Sequence, residues 1–183
     1  MRSARLFAAV SFTPAEKQAL AASAQALRGL CAAGRFPDPA LLHITLHFFG
    51  QTPLEKLNDI ETAMGLAAAG ASPFTLATGR AGAFGRDGSA VLWLGIGEGA
   101  TELKALQAAL ERELHGRGFP AEAREFKAHI TVGRDVRFVG SPAEVALAPT
   151  RIAVNAITLM ESTQAGGKLE YVPLLHVPFI PAK

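Results

Sequence analysis

The sequence predicts an α+β fold of two pseudo-symmetric lobes, each an antiparallel sheet backed by helices. Three observations carry that expectation. Apolar runs of strand formers alternate with clearly capped helices, several strands are joined by hairpin turns rather than helical crossovers, and one five-residue pattern occurs twice. Its copies are Leu42-His43-Ile44-Thr45-Leu46 and Ala128-His129-Ile130-Thr131-Val132, so a two-copy architecture follows. The 183 residues suffice for one packed unit and no Gly-, Ser- or Pro-rich linker divides them, so residues 1–183 are expected to form a single domain.

The elements follow in order. Residues 6–12 form an apolar, strand-like run that ends at Thr13-Pro14-Ala15-Glu16, where a capping Thr, a Pro at the first helical position and a Glu three residues on predict a helix to about Ala33. Residues 41–49 repeat the strand signal. Thr52-Pro53-Leu54-Glu55 repeats the helix start, and that helix should reach about Ala69, so the first lobe is expected to begin strand, helix, strand, helix. Two strands over residues 74–84 and 90–96 flank Gly85-Arg86-Asp87-Gly88, a turn that suits an antiparallel hairpin. Leu103, Leu106, Leu110 and Leu114 mark a helix over residues 101–115, with Gly116 as its stop. Later strands are expected over residues 129–133, 152–162 and 169–177, with Ala165-Gly166-Gly167 turning between the last two. Ser141-Pro142-Ala143-Glu144 is a third capping signal, but Pro149 follows too closely for more than a turn of helix.

Composition narrows the function. Hydrophobic residues make up 49% and charged residues 19%, a globular balance. A formal charge of +2 is too small to hold a long duplex by phosphate neutralisation, which leaves a short nucleic-acid end or a nucleotide as partner. Cys31 is the only cysteine, in an Ala-rich stretch that reads as helix, so neither an intramolecular disulfide nor a cysteine zinc site is available, and a reducing cytoplasm is expected. The start resembles a signal peptide until Glu16 and Lys17 interrupt it, and no stretch reaches the length of a membrane span, so no membrane association is expected.

Among five His and 11 Thr, chance places a Thr two after a His about 0.3 times; here it happens twice, with Ile between. Residues two apart in a strand share a face, so each half should present an imidazole beside a hydroxyl, with the intervening aliphatic side chains in the core. One such pair has an ordinary explanation as a half-buried strand histidine bonded to its neighbour; two matching pairs call for another. Hydrolysis of a cyclic phosphodiester supplies it. Water attacks phosphorus from one side while the ester oxygen leaves on the other, so one base and one acid are needed, and two imidazoles serve near neutrality. The Thr hydroxyls can donate to non-bridging oxygens as charge builds there.

The chain resembles the two-histidine (2H) phosphoesterase superfamily and, within it, the RNA 2′,3′-cyclic phosphodiesterases, historically called 2′-5′ RNA ligases. The resemblance rests on Arg5-Leu6-Phe7-Ala8-Ala9-Val10, His43 to Gly50 (HITLHFFG), Val91-Leu92-Trp93-Leu94-Gly95 and His129-Ile130-Thr131-Val132-Gly133-Arg134, and spans nearly the whole length. It implies a cleft between the lobes, with His43 as proton donor to the leaving oxygen and His129 as acceptor from water. Thr45, Thr131 and Arg134 would bind phosphate, and no metal or other cofactor would be needed. RNA ends or cyclic nucleotides would be the partners, a 2′-phosphomonoester the product, a monomer the state, and 2′-5′ ligation a possible side activity. The chain departs from the family pattern at Ala128, where Pro is usual, and at His47.

The remaining candidates read more plainly. His43 and His47 are four apart, as on a zinc-binding helix, but Ile44, Thr45, Phe48 and Phe49 favour a strand, in which His47 shares the cleft face with His43 and Thr45. His115 and His176 read as surface histidines, Trp93 as core, and Arg80, Arg86, Arg124 and Lys127 as a basic rim or solvated charges. The rival functions are a phosphodiesterase on another cyclic nucleotide or a 2′-5′ linkage, a non-catalytic RNA-end binder, and a metal-dependent hydrolase.

Overall fold

The computed structural model describes residues 2–122 and 124–180, which form nine strands and three α-helices. β1 (Ser3–Ser11) leads into α1 (Pro14–Arg28), which starts as the sequence requires: Thr13 and Glu16 form a reciprocal capping box with Pro14 in the first turn. Glu16 does more than cap, because its Oε1 accepts the N–H of Ala153 at 3.0 Å and so ties the helix to a distant strand.

The helix stops five residues earlier than expected. Gly29 donates its N–H to Gln25 O at 3.2 Å, the backbone of Leu30 accepts from Val139, and Cys31–Arg35 forms strand β2 against β6 (His129–Phe138). Cys31 is therefore a strand residue rather than a helical one. The Ala-rich composition favours helix, but the long partner strand offers β2 a full ladder, and tertiary pairing overrides propensity.

The helix start expected at Thr52-Pro53-Leu54-Glu55 does not form there. β3 (His43–Pro53) runs through Thr52, whose hydroxyl donates back to the carbonyl of Gly50, and after a 3-10 turn over Leu54–Lys56 the helix α2 (Leu57–Ala69) begins without a side-chain cap. The hairpin of β4 (Phe74–Phe84) and β5 (Ala90–Ile96) and helix α3 (Ala100–His115) follow as expected. The strand expected over residues 152–162 is two, β7 (Arg151–Val154) and β8 (Ala156–Ala165), which belong to different sheets. At Asn155, between them, the carbonyl accepts the N–H of Phe179 at 2.7 Å. β9 (Lys168–Pro178) returns along β8 after the Gly166-Gly167 turn.

The first sheet has strand order β3-β1-β8-β9 and the second β2-β6-β5-β4-β7, with every neighbouring pair antiparallel. The chain crosses between the sheets more often than strand-helix-strand-helix implies, since β2 leaves the first lobe for the second before β3 comes back. α2 packs on β8 and β9, and α3 on β3 and α2. One buried cluster underlies both sheets, drawing Leu6, Val10 and Ile44 from the first and Leu92, Leu94 and Ile130 from the second. Apolar burial of this kind is what fixes β3 and β6 relative to each other.

Candidate active site

His43 opens β3 and His129 opens β6, and the two imidazoles are held in the same way. Nδ1 of His43 lies 2.8 Å from the carbonyl of Leu41, and Nδ1 of His129 lies 2.6 Å from the carbonyl of Lys127, in each case two residues upstream. A carbonyl only accepts, so Nδ1 carries the hydrogen in both rings and Nε2 is left as the working nitrogen. Nε2 of His43 lies 3.0 Å from Oγ1 of Thr45, which donates to the neutral ring and accepts from the charged one.

Strand alternation carries Thr45 and Thr131 to the faces of their histidines, while Ile44, Leu46, Ile130 and Val132 are buried. A bulge then interrupts each strand at the same place. In β3, Thr45 pairs with Ala9 but His47 with Ala8, so Leu46 is the extra residue; in β6, Thr131 pairs with Trp93 but Gly133 with Leu92, so Val132 is. After a bulge the parity reverses. Arg134 therefore joins His129 and Thr131 on the cleft face, and Phe48 joins His43 and Thr45. Asp135, left-handed at φ 51°, turns the strand just beyond and is paired with Arg35.

The same bulge turns His47 off the face shared by His43 and Thr45, although it still borders the cleft. It pairs with Ala8 on the core side, is only 6% exposed, and places Nδ1 2.6 Å from Glu111 Oε1 on α3, with its ring 4.6 Å from that of Phe49. His43 and His47 face opposite sides of the sheet, so their spacing is not that of a metal pair. Among the described residues no three His, Cys, Asp or Glu side chains gather.

Each imidazole has an aromatic frame that single-strand reasoning missed. His43 lies 4.8 Å from the Phe7 ring and 5.1 Å, edge-on, from Tyr171; His129 stands at 90° to Phe84 with centroids 5.1 Å apart. Phe84 leans in turn on Trp93, 5.0 Å away. Trp93 is thus a cleft-face residue rather than a core one: it pairs with Thr131 and lies over Gly82, where an added Cβ would come within 2.4 Å of its ring. A signal available in sequence was glycine within the strands, Gly82 under the ring and Gly95 beside it, since glycine within a strand often marks the close approach of a neighbour.

The cleft has a volume of ≈ 760 Å³ and is bordered by Thr45, His129, Thr131 and Arg134, with Arg124 and Lys127 on its rim. Arg80 and Arg86 do not border it, and Glu122 and Glu125 do, so the rim carries both signs. Burial pushes both imidazoles below their ordinary pKa; the backbone carbonyls of Leu41 and Lys127 oppose this, and the Arg134 guanidinium depresses both further. Lys17 and His129 add to the depression at His43. The unliganded site therefore favours two neutral rings facing a fixed cation, an arrangement suited to receive an anion and then to hold a proton.

The fold recurs in known proteins. The sequence matches the 2′-5′ RNA ligase superfamily over residues 15–165. It is 29% identical over 172 residues to an RNA 2′,3′-cyclic phosphodiesterase of Methanothermobacter thermautotrophicus, covering 88% of this chain and 92% of that protein. A protein of the same name from Archaeoglobus fulgidus is 35% identical over 131 residues, 71% of this chain and 72% of its own. The crystal structure of Escherichia coli LigT complexed with 3′-AMP superposes with a TM-score of 0.79 at 27% identity, covering 97% of this chain and 99% of that one. A match over most of the length in sequence and in fold makes the chain a member of the 2′-5′ RNA ligase superfamily, the 2H phosphoesterases.

Proposed function

We propose that this chain hydrolyses a terminal 2′,3′-cyclic phosphate on RNA to a 2′-phosphomonoester, without a metal. The observation that carries the reading is the pair of imidazoles held alike, each with Nδ1 on a carbonyl, with His129 and the Thr45 hydroxyl that meets His43 Nε2 bordering one cleft. The cyclic phosphate sits between them. Nε2 of His129 takes a proton from water as its oxygen bonds to phosphorus. The bond from phosphorus to O3′ breaks on the opposite side, and Nε2 of His43 delivers a proton to that oxygen, leaving a 3′-hydroxyl and a 2′-phosphate. Thr45, Thr131 and Arg134 stabilise the non-bridging oxygens, where the charge of the transition state collects.

The depressed pKa values set how the cycle begins. His129 is ready as a base because it is neutral, whereas His43 must gain a proton, and the phosphodiester anion supplies the favourable field for that. Both imidazoles come from one polypeptide, so a monomer suffices for the reaction, and a single bilobal domain over residues 1–183 would carry it. The cytoplasm suits its single thiol. Incubation with a short RNA ending in a 2′,3′-cyclic phosphate should give a 2′-phosphate; a 3′-phosphate product would reverse the leaving oxygen, and no turnover would remove the activity.

A further inference from the structure

The cleft-side face of the first sheet carries a polar row that the chemistry at His43 and His129 leaves unused. Ser11 is the cross-strand partner of His43, and its Oγ lies 3.0 Å from Oγ1 of Thr158 on β8. That Oγ1 lies 3.2 Å from Nδ1 of His176 on β9. All three stand on the His43 side. Ser11 shares its face of β1 with Ala9 and with Phe7, whose ring packs on His43, while Leu175 and Val177, the neighbours of His176, pack against the core. Thr158 is only 2% exposed, a buried hydroxyl bonded on both sides, whereas His176 is exposed on an edge strand.

The contact with Thr158 occupies Nδ1 of His176 and leaves Nε2 as the outward ring nitrogen. With Ser11 donating to Thr158 and Thr158 to Nδ1, one of the two directions the contacts allow, the ring hydrogen sits on Nε2, which then donates at the open end of the row. With strands about 4.8 Å apart, three spacings put His176 about 14 Å from His43, more than one nucleotide step along a strand.

We propose that His176, held by Thr158 and Ser11, is a subsite for a backbone phosphate of the RNA upstream of the reacting nucleotide, so that the protein prefers oligonucleotide ends to cyclic mononucleotides. The assignment of "upstream" rests on the reading that the terminal phosphate lies between His43 and His129.

Two measurements test it on wild type, His176→Ala, His176→Phe and His176→Arg. The first is kcat/KM on cytidine 2′,3′-cyclic phosphate and on a hexaribonucleotide ending in the same group. The second is fluorescence anisotropy of a labelled hexamer ending in a 2′-phosphate, which needs no turnover. Ala and Phe should lower the hexamer-to-mononucleotide ratio and weaken hexamer binding by about five- to tenfold, and Arg, which keeps an outward donor, should restore both. Unaltered hexamer binding in the Ala and Phe variants, or equal losses on both substrates, would overturn the subsite. Hexamer binding that depends on His176 in a protein inert toward both substrates would sustain the subsite and reject the hydrolytic reading. A wild type that binds no hexamer would overturn the subsite directly.

Discussion

Arg134 stands on the same face of β6 as His129 although five residues separate them, because the strand gains a residue at Val132. Without that bulge an odd spacing would aim the guanidinium away from the imidazole. The charge depresses the pKa of His129 and of His43.

Arg134→Ala should therefore do two things. Loss of a charged phosphate contact should raise KM by about tenfold, more than Thr45→Ala or Thr131→Ala, whose neutral donors water partly replaces. Removing a cation also relieves the penalty on imidazolium, so the acid limb of kcat/KM should move to higher pH. Steady-state kinetics against pH check both, and an acid limb that stays put would deny the electrostatic link.

Rate should depend on pH as a bell, since one imidazole must be neutral and the other charged, and the limbs belong to the pair. Both rings lie below their ordinary pKa in the free protein, while bound phosphate favours imidazolium. The bell in kcat should consequently sit at higher pH than the bell in kcat/KM. Coincident profiles, with chemistry rate-limiting, would contradict the anion-driven protonation of His43.

Stability should carry the same signature. The unfolded chain takes up protons on His43 and His129 near pH 6.5, and the folded chain only at lower pH, so folding loses stability as pH falls from that value through the folded pKa values. Urea unfolding midpoints should drop between about pH 7 and 5, and drop less in the His43→Asn, His129→Asn double variant.

Gly82→Ala should be costly for one methyl group. Its Cβ would meet the Trp93 ring at 2.4 Å, and Trp93 supports Phe84, which frames His129. Overpacking of this sort costs about 1–3 kcal/mol, and kcat should fall as well because the frame moves. Trp93 is the only tryptophan, so its emission reports the displacement; an unshifted spectrum with intact activity would remove Trp93 from the support of His129.

The parts of this site visible in sequence were those that obey local periodicity. His43, Thr45, His129 and Thr131 lie before their bulges, where alternation holds, and the structure places each pair together. The face of His47 was hidden because a bulge is a two-strand property, shown only by the pairing of Ala8 with His47, and Trp93 was read as core because its strand is apolar on both faces, its pairing with Thr131 alone placing it on the cleft side. The end of α1 and the break at Asn155 were hidden for a related reason. Residues 31–35 and 151–165 take their states from partner strands far along the chain, which no window of propensity contains.

The central claim is that two imidazoles, and no metal, move the protons. It is tested most directly by kcat of wild type, His43→Ala and His129→Ala on one RNA ending in a 2′,3′-cyclic phosphate, in EDTA, with circular dichroism confirming the fold. Wild type should keep full activity in the chelator, and each variant should lose about 10²–10⁴-fold in kcat. Near wild-type kcat in either histidine variant, or activity lost to EDTA and restored by added metal, would contradict it.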